Sequence, residues 1–164
     1  DLEIRGGGNL VGDAQSGHIK NIGYSLYLKM LEDAIRTLSN QQLGKKAKVD
    51  IKLTVNAYIS EDIVSEERLR LDLYRRLSSC ENTSDIYEIQ DEFIDRFKTI
   101  DAPSRQFFDI MAIKLLCIEK EIKLVSNYAQ NITITYLDDK KESIKSDSKD
   151  DDDIIKAVMG YLRG

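Results

Sequence analysis

The 164-residue sequence holds one histidine, one proline and two cysteines. A lone His18 excludes any His-based catalytic triad or multi-His metal centre built within this chain. Cys80 and Cys117 stand 37 positions apart with no clustered His or further Cys, so they read as free, partly buried thiols in a reducing cytosol. No apolar run approaches the ~18 residues that a membrane span requires. Asp1, Glu3 and Arg5 interrupt the start where a signal peptide would need an apolar stretch. No His-based active site, clustered metal site or membrane span is therefore expected, and the expected compartment is the cytoplasm.

What is present is a balance of 41% hydrophobic and 32% charged residues, which suits one soluble globular domain with an appendage. A domain of this size removes roughly 70% of its unfolded-chain surface from water, enough to form a core without disulfides or metal. The net charge of −5 is uneven: residues 1–48 carry 7 Lys+Arg against 5 Asp+Glu, residues 49–164 carry 17 against 24. An acidic body repels a phosphate backbone, so nucleic-acid contact belongs to the front segment.

The chain opens with a motif already under way and no initiator Met, and reads as a piece of something longer. In the segment from Ser25 to about Leu43, Leu26, Met30, Leu31, Ala34, Ile35 and Leu38 form one helical stripe, ended by the polar Gln41 to Lys46. From Val49 the period becomes two: Val49, Ile51, Leu53 and Val55 alternate with polar residues and predict a strand with one buried face. A helix capped by Ser65 and running to Ser79 follows, with an acidic first turn, a basic last turn and an inward stripe of Leu69, Leu73, Tyr74 and Leu77. Asn82 or Thr83 can cap the next helix. It carries Ile86, Ile89, Phe93, Ile94 and Phe97 on one side, and Glu88, Asp91, Glu92 and Asp95 on the other.

Asp101 and Pro103 start a helix to about Lys120 whose apolar residues occupy more than one face, the expected spine of the domain. Ile122–Val125 and Ile132–Leu137 read as strands joined by a turn over 126–130, available to pair with the Val49 strand. Residues 138–153 are too polar to pack, and a short helix over Asp153–Leu162 closes the chain. The expected class is α+β: a small mixed domain of several helices packed with a short β-sheet over residues 49–164, preceded by a helical segment over 1–48.

Three local features invite chemistry. The glycines at 6–12 fail as a phosphate loop, because a Walker loop needs Gly-Lys-Ser/Thr where Gly12, Asp13 and Ala14 stand. The Asp147–Asp153 run lacks the alternating ligands and central Gly of a calcium loop and reads as a solvated charge run. Glu92 and Asp95 lie at i, i+3 and could do acid-base work, but no nucleophile or metal partner accompanies them, so a surface ion-pair patch is the simpler reading.

The opening as a whole is more specific. Asp1-Leu2-Glu3-Ile4-Arg5-Gly6-x-Gly8-x-x-x-Gly12-x-x-Gln15-Ser16-Gly17 resembles the translocation motif shared by bacterial transcription-repair coupling factors and the branch-migration helicase RecG. Ile22-Gly23-Tyr24-Ser25-Leu26-Tyr27 with Leu31-Glu32 resembles the coupling-factor continuation. So do Arg68-Leu69, Tyr74-Arg75-Arg76-Leu77 and Phe93-Ile94-Asp95-Arg96-Phe97 downstream. The resemblance covers residues 1 to about 120. The chain departs from the family where prolines are usual, around Ser60 and Ser65, and where a glycine is usual, at Lys98; a left-handed helix stop prefers Gly.

The resemblance implies a carboxy-terminal regulatory, autoinhibitory domain of an ATP-dependent double-stranded-DNA translocase that displaces stalled RNA polymerase and recruits UvrA for excision repair. ATP and magnesium would serve the parent's motor lobes; the chain itself would need no cofactor. The front motif would come from the second motor lobe, with Arg5 and Gln15 coupling hydrolysis to movement on duplex DNA and Gly6, Gly8 and Gly12 shaping the loop. The terminal domain would fold back on an amino-terminal UvrB-like module of the same parent and hide the UvrA-binding surface, with Glu92, Asp95 and Arg96 as the expected contact. The alternative is a basic fragment of a RecG-like helicase in which Arg5, Lys20, Lys45, Lys46 and Lys48 track a DNA backbone.

Overall fold

A computed structural model describes residues 48–164; the expected helix over 25–43 and the Gly-rich motif lie outside them. The described chain is α+β. Strand β1 (Asp50–Lys52) is followed by helices α1 (Glu67–Ser78), α2 (Thr83–Phe97) and α3 (Ala102–Glu119), then strands β2 (Ile122–Tyr128), β3 (Asn131–Tyr136) and β4 (Lys141–Lys145), then helix α4 (Asp151–Arg163). The sheet order is β1-β2-β3-β4, with β1 parallel to β2 and the other pairs antiparallel. Parallel neighbours need a long crossover, and the three helices α1 to α3 supply it.

Registers Ile51↔Val125 and Val125↔Ile134 place aliphatic residues of three strands side by side. Ile122, Val125, Ile132 and Ile134 are fully buried beneath the helices. Helix α3 is the spine that its sequence predicts: Phe107, Phe108, Ile110, Ala112, Ile113 and Cys117 leave almost no surface, whichever way they point. Asp101 caps it by accepting from Ser104 N at 3.2 Å, and Pro103 sits in its first turn, where a missing N–H costs nothing. Each fully buried Phe, Leu or Ile contributes about 1.5–3 kcal/mol, so this helix and the sheet face against it dominate the fold.

The alternation that begins at Val49 runs further than the ladder does. Val49, Leu53, Val55, Ala57 and Ile59 are all buried, yet only Asp50–Lys52 pair with β2. Beyond Lys52 the chain leaves the sheet, and other elements take up its amides. Thr54 N donates to Asn127 Oδ1 (2.8 Å), Asn56 N to Asp151 Oδ2 (2.9 Å), Tyr58 N to the Pro103 carbonyl (3.1 Å), Ile59 N to Tyr74 OH (2.8 Å) and Ser60 N to Ser104 Oγ (3.1 Å). Residues 53–60 thus form a strap tied to β2, α4, α3 and α1.

Several expectations are corrected. Ser65 does not cap α1: the N-cap is Glu66, without a side-chain cap bond, and the Ser65 carbonyl instead accepts from Arg70 Nη1 at 3.1 Å. Leu73, Tyr74 and Leu77 are buried as expected, whereas Leu69 is only partly so. On α2, Ile86, Ile89 and Phe93 point inward but Ile94 is 37% exposed, because one residue past Phe93 turns the side chain about 100° off the stripe. The expected turn over 126–130 shrinks to Ala129 and Gln130, with Ala129 at φ 52°.

The polar stretch 138–153 is not structureless. It contains β4, and α4 begins at Asp151, two residues earlier than expected. An edge strand needs only backbone pairing on one side, so its charged side chains can stay in water while Ile144 alone packs against the core. The following loop is held by polar bonds: Gln130 Nε2 donates to the Ser146 and Asp147 carbonyls, and Ser148 Oγ to Asp153 Oδ2 at 2.6 Å.

Lys98, which ends α2, sits at φ 66°, ψ 4° in the left-handed region, with its N–H on the Ile94 carbonyl at 2.8 Å. A residue with a Cβ costs roughly 1–2 kcal/mol there, and Gly gives back about 0.4–1 kcal/mol through a freer unfolded chain. Lys98→Gly should therefore stabilise the domain by roughly 0.5–1 kcal/mol, read as a raised urea midpoint with unchanged slope. A midpoint equal to or below that of the parent sequence would contradict this account of the helix stop.

Candidate functional site

Helix α2 is built as a two-sided element. Asn82 fixes its start, accepting from Asp85 N at 3.0 Å while Ser84 Oγ donates to the same oxygen at 2.6 Å. Phe93 anchors its inner side, packing against Phe108 at 5.8 Å and Phe97 at 5.0 Å between ring centroids. A second pin comes from Tyr87, whose hydroxyl donates to Asp109 of α3 at 2.8 Å. Burial raises the Tyr87 pKa, reinforced by the bond to Asp109. Burial likewise lifts the Asp109 carboxyl above its usual range, against the opposing pull of Tyr87 and Arg105.

The outer side presents Glu88, Asp91, Glu92, Asp95 and Arg96, all exposed. The structure brings the three expected contact residues together: Glu92, Asp95 and Arg96 share this face. Arg96 lies over the Phe97 ring with 5.3 Å from its guanidinium carbon to the centroid, a cation–π contact that fixes where its stem runs. Arg5, Gln15, Gly6, Gly8 and Gly12 lie outside the described residues.

Sequence reasoning missed the partner that organises the face. Arg76 of α1 donates through Nη2 to both carboxylate oxygens of Glu92, at 2.9 and 3.1 Å. The signal was there in four arginines, 68, 70, 75 and 76, on one helix of an acidic domain, but Arg75 and Arg76 read first as dipole partners. Arg75 pairs with Asp72 at 3.5 Å, and Arg70 caps the Val64 and Ser65 carbonyls, which leaves Arg76 as the link to α2. The exposed pair contributes at most about 1 kcal/mol to stability. Its larger effect is positional, since it holds one carboxylate of the face still.

Other polar clusters serve packing. Tyr136 and Tyr161 share a hydroxyl bond of 2.5 Å and Tyr161 OH donates to Glu142 at 2.9 Å, tying α4 to the sheet. Among the described residues no group of three or more His, Cys, Asp or Glu could hold a metal ion. Cys80 and Cys117 are buried and joined in no disulfide; Cys80 Sγ donates to the Arg76 carbonyl at 3.4 Å, and burial pushes the Cys117 thiol up to about 12, far from the thiolate a nucleophile needs. No helix among the described residues is long and apolar enough to cross a membrane.

Comparison with known proteins agrees with the fold and extends past it. A family model described as "TRCF domain" matches residues 53–146. The chain is 53% identical over 163 residues to a transcription-repair-coupling factor of Helicobacter pylori, covering 99% of this chain and 16% of that protein. It is 32% identical over 163 residues to the transcription-repair-coupling factor of Rickettsia typhi, covering 98% of this chain and 14% of that protein. The chain thus spans about a sixth of these relatives. A crystal structure of the C-terminal domain of a transcription-repair coupling factor superposes with a TM-score of 0.52 at 23% identity, over 56% of each chain, which shows a shared fold. With the family model covering more than half of its length, the chain belongs to the TRCF-domain family, that of the transcription-repair-coupling factors.

Proposed function

We propose that residues 49–164 are the regulatory domain of an ATP-dependent duplex-DNA translocase acting in transcription-coupled excision repair, and that the acidic face of α2 is its docking surface. In this reading the domain rests on an amino-terminal UvrB-like module of the same parent in the cytoplasm and covers the surface that UvrA would bind. Release follows once stalled RNA polymerase is engaged and displaced. Residues 1–48 belong to the second motor lobe, where Arg5 and Gln15 couple hydrolysis of magnesium-bound ATP to movement.

The observation that carries the reading is the α2 face itself. Four carboxylates stand in a row on a helix whose opposite side is locked into the core, and one of them is held by an arginine from a neighbouring helix. A pre-positioned carboxylate loses less freedom on meeting a basic partner than a free one does. The exposed Ile94, three residues from Asp91, adds apolar surface at the edge of the row.

Glu92 is a poor first choice for charge reversal, because a lysine there would also repel Arg76 and disturb α1. Asp91→Lys together with Asp95→Lys in the parent should raise UvrA affinity about tenfold or more, since close charge pairs across a partly desolvated interface couple by about 1.5–7 kcal/mol. The gain should shrink in high salt. Unchanged UvrA affinity in a variant with native circular dichroism would remove α2 from the contact. In the same parent, Arg5→Ala and Gln15→Ala should abolish polymerase displacement while nucleotide binding persists, measured by triplex displacement alongside nucleotide titration. Normal translocation by both variants would end the coupling assignment.

A further inference from the structure

We propose that the strap 53–60 is a transmission element that passes displacement of the chain entering at Val49 to the acidic face of α2, by way of Tyr74 and the Arg76–Glu92 pair. The inference rests on the proposed function for what is switched, but its geometry is independent of it. The described chain enters the sheet through β1, which holds three residues at its edge. The strap comes next, and Tyr74 OH takes its Ile59 amide at 2.8 Å. Tyr74 and Arg76 ride on the same helix, and Arg76 grips Glu92 with two bonds. Tyr74 and Arg76 lie two residues apart on one helix, so a displacement of Tyr74 through its bond to Ile59 would carry Arg76 with it.

Of the helices that touch the strap, α1 is the one free to respond. Helix α3 also bonds Tyr58 and Ser60, but it is buried on several faces and cannot move without opening the core. Helix α4 meets the strap through Asp151, which accepts from Asn56 N and Gln106 Nε2, and it is bonded to the sheet by Tyr161. Helix α1 buries only Leu73, Tyr74 and Leu77 and has no side-chain cap at its start. Tyr74 also meets Phe107 edge-on at 4.9 Å, so its ring is seated in the core while its hydroxyl reads the strap.

The upstream end of the strap has its own clasp, far along the sequence from α2. Asn127, near the tip of the β2–β3 hairpin, accepts from Thr54 N at 2.8 Å and donates to Thr54 Oγ1 at 3.0 Å. Asn127→Ala opens this clasp at an exposed position, and Tyr74→Phe cuts the strap from α1 while keeping the ring in place. These two changes and their combination, made in the full-length parent, form a cycle that isolates coupling from simple loosening.

In Asn127→Ala, UvrA affinity should rise threefold or more and amide hydrogen exchange across residues 83–97 should quicken. With Tyr74→Phe present, adding Asn127→Ala should change neither. Equal responses in both backgrounds would overturn the proposal, as would no response of either readout to Asn127→Ala. Exchange that follows the expected cycle while UvrA affinity stays flat would support the strap and count against the docking reading. A UvrA response to Asp91→Lys and Asp95→Lys, without the cycle in exchange, would support docking and sink the strap.

Discussion

Five amides between Thr54 and Ser60 leave the sheet without a strand to bond, and much of the domain is arranged around satisfying them. A buried N–H without a partner costs about 1–3 kcal/mol, so a segment this apolar can enter the core only where acceptors already wait. They come from far apart in sequence: Asn127 on β2, Asp151 on α4, the Pro103 carbonyl and Ser104 on α3, and Tyr74 on α1. Each of those groups also has a local duty. Pro103 lies in the first turn of α3, Asp151 opens α4, and Gln106 joins the set by donating to the Asn56 carbonyl and to Asp151. Helices and sheet are thereby fixed relative to one chain segment instead of only to each other.

Within the crossover, α2 is the two-sided helix. Its inner side is pinned by Phe93 and Tyr87, its ends by Asn82 and Lys98, and its outer side is given over to carboxylates. A net charge of −7 over residues 49–164 makes contact with a phosphate backbone unfavourable for the domain and contact with a basic protein surface favourable.

Much of this was legible in the sequence because it is local. Periodicity placed α1, α2, α3 and the β2–β3 pair, and the cap chemistry of Asn82 and Asp101 follows from residue type, whereas the left-handed stop at Lys98 was marked only by the glycine usual there in the family the chain resembles. The composition rule failed at β4, where five residues with one aliphatic pair by backbone, a contribution no side-chain pattern records. The strap was half legible: alternation marked its buried side as far as Val55, though as a strand, but its acceptors lie 15 to 95 positions away and no spacing announces them. The acidic face was read from helical geometry, whereas its Arg76 partner depends on how α1 and α2 pack. That is a tertiary fact, and two adjacent arginines have several ways to be used.

In the proposed reading, the α2 carboxylates are covered in the intact parent and bare once its amino-terminal module is gone. Carbodiimide-driven labelling of Asp91 and Asp95, quantified by mass spectrometry, reads this directly, with the exposed Asp72 of α1 as internal reference. Asp91 and Asp95 should label slowly relative to Asp72 in the full-length protein, and several times faster after the module is deleted. Equal labelling in the two proteins would contradict it.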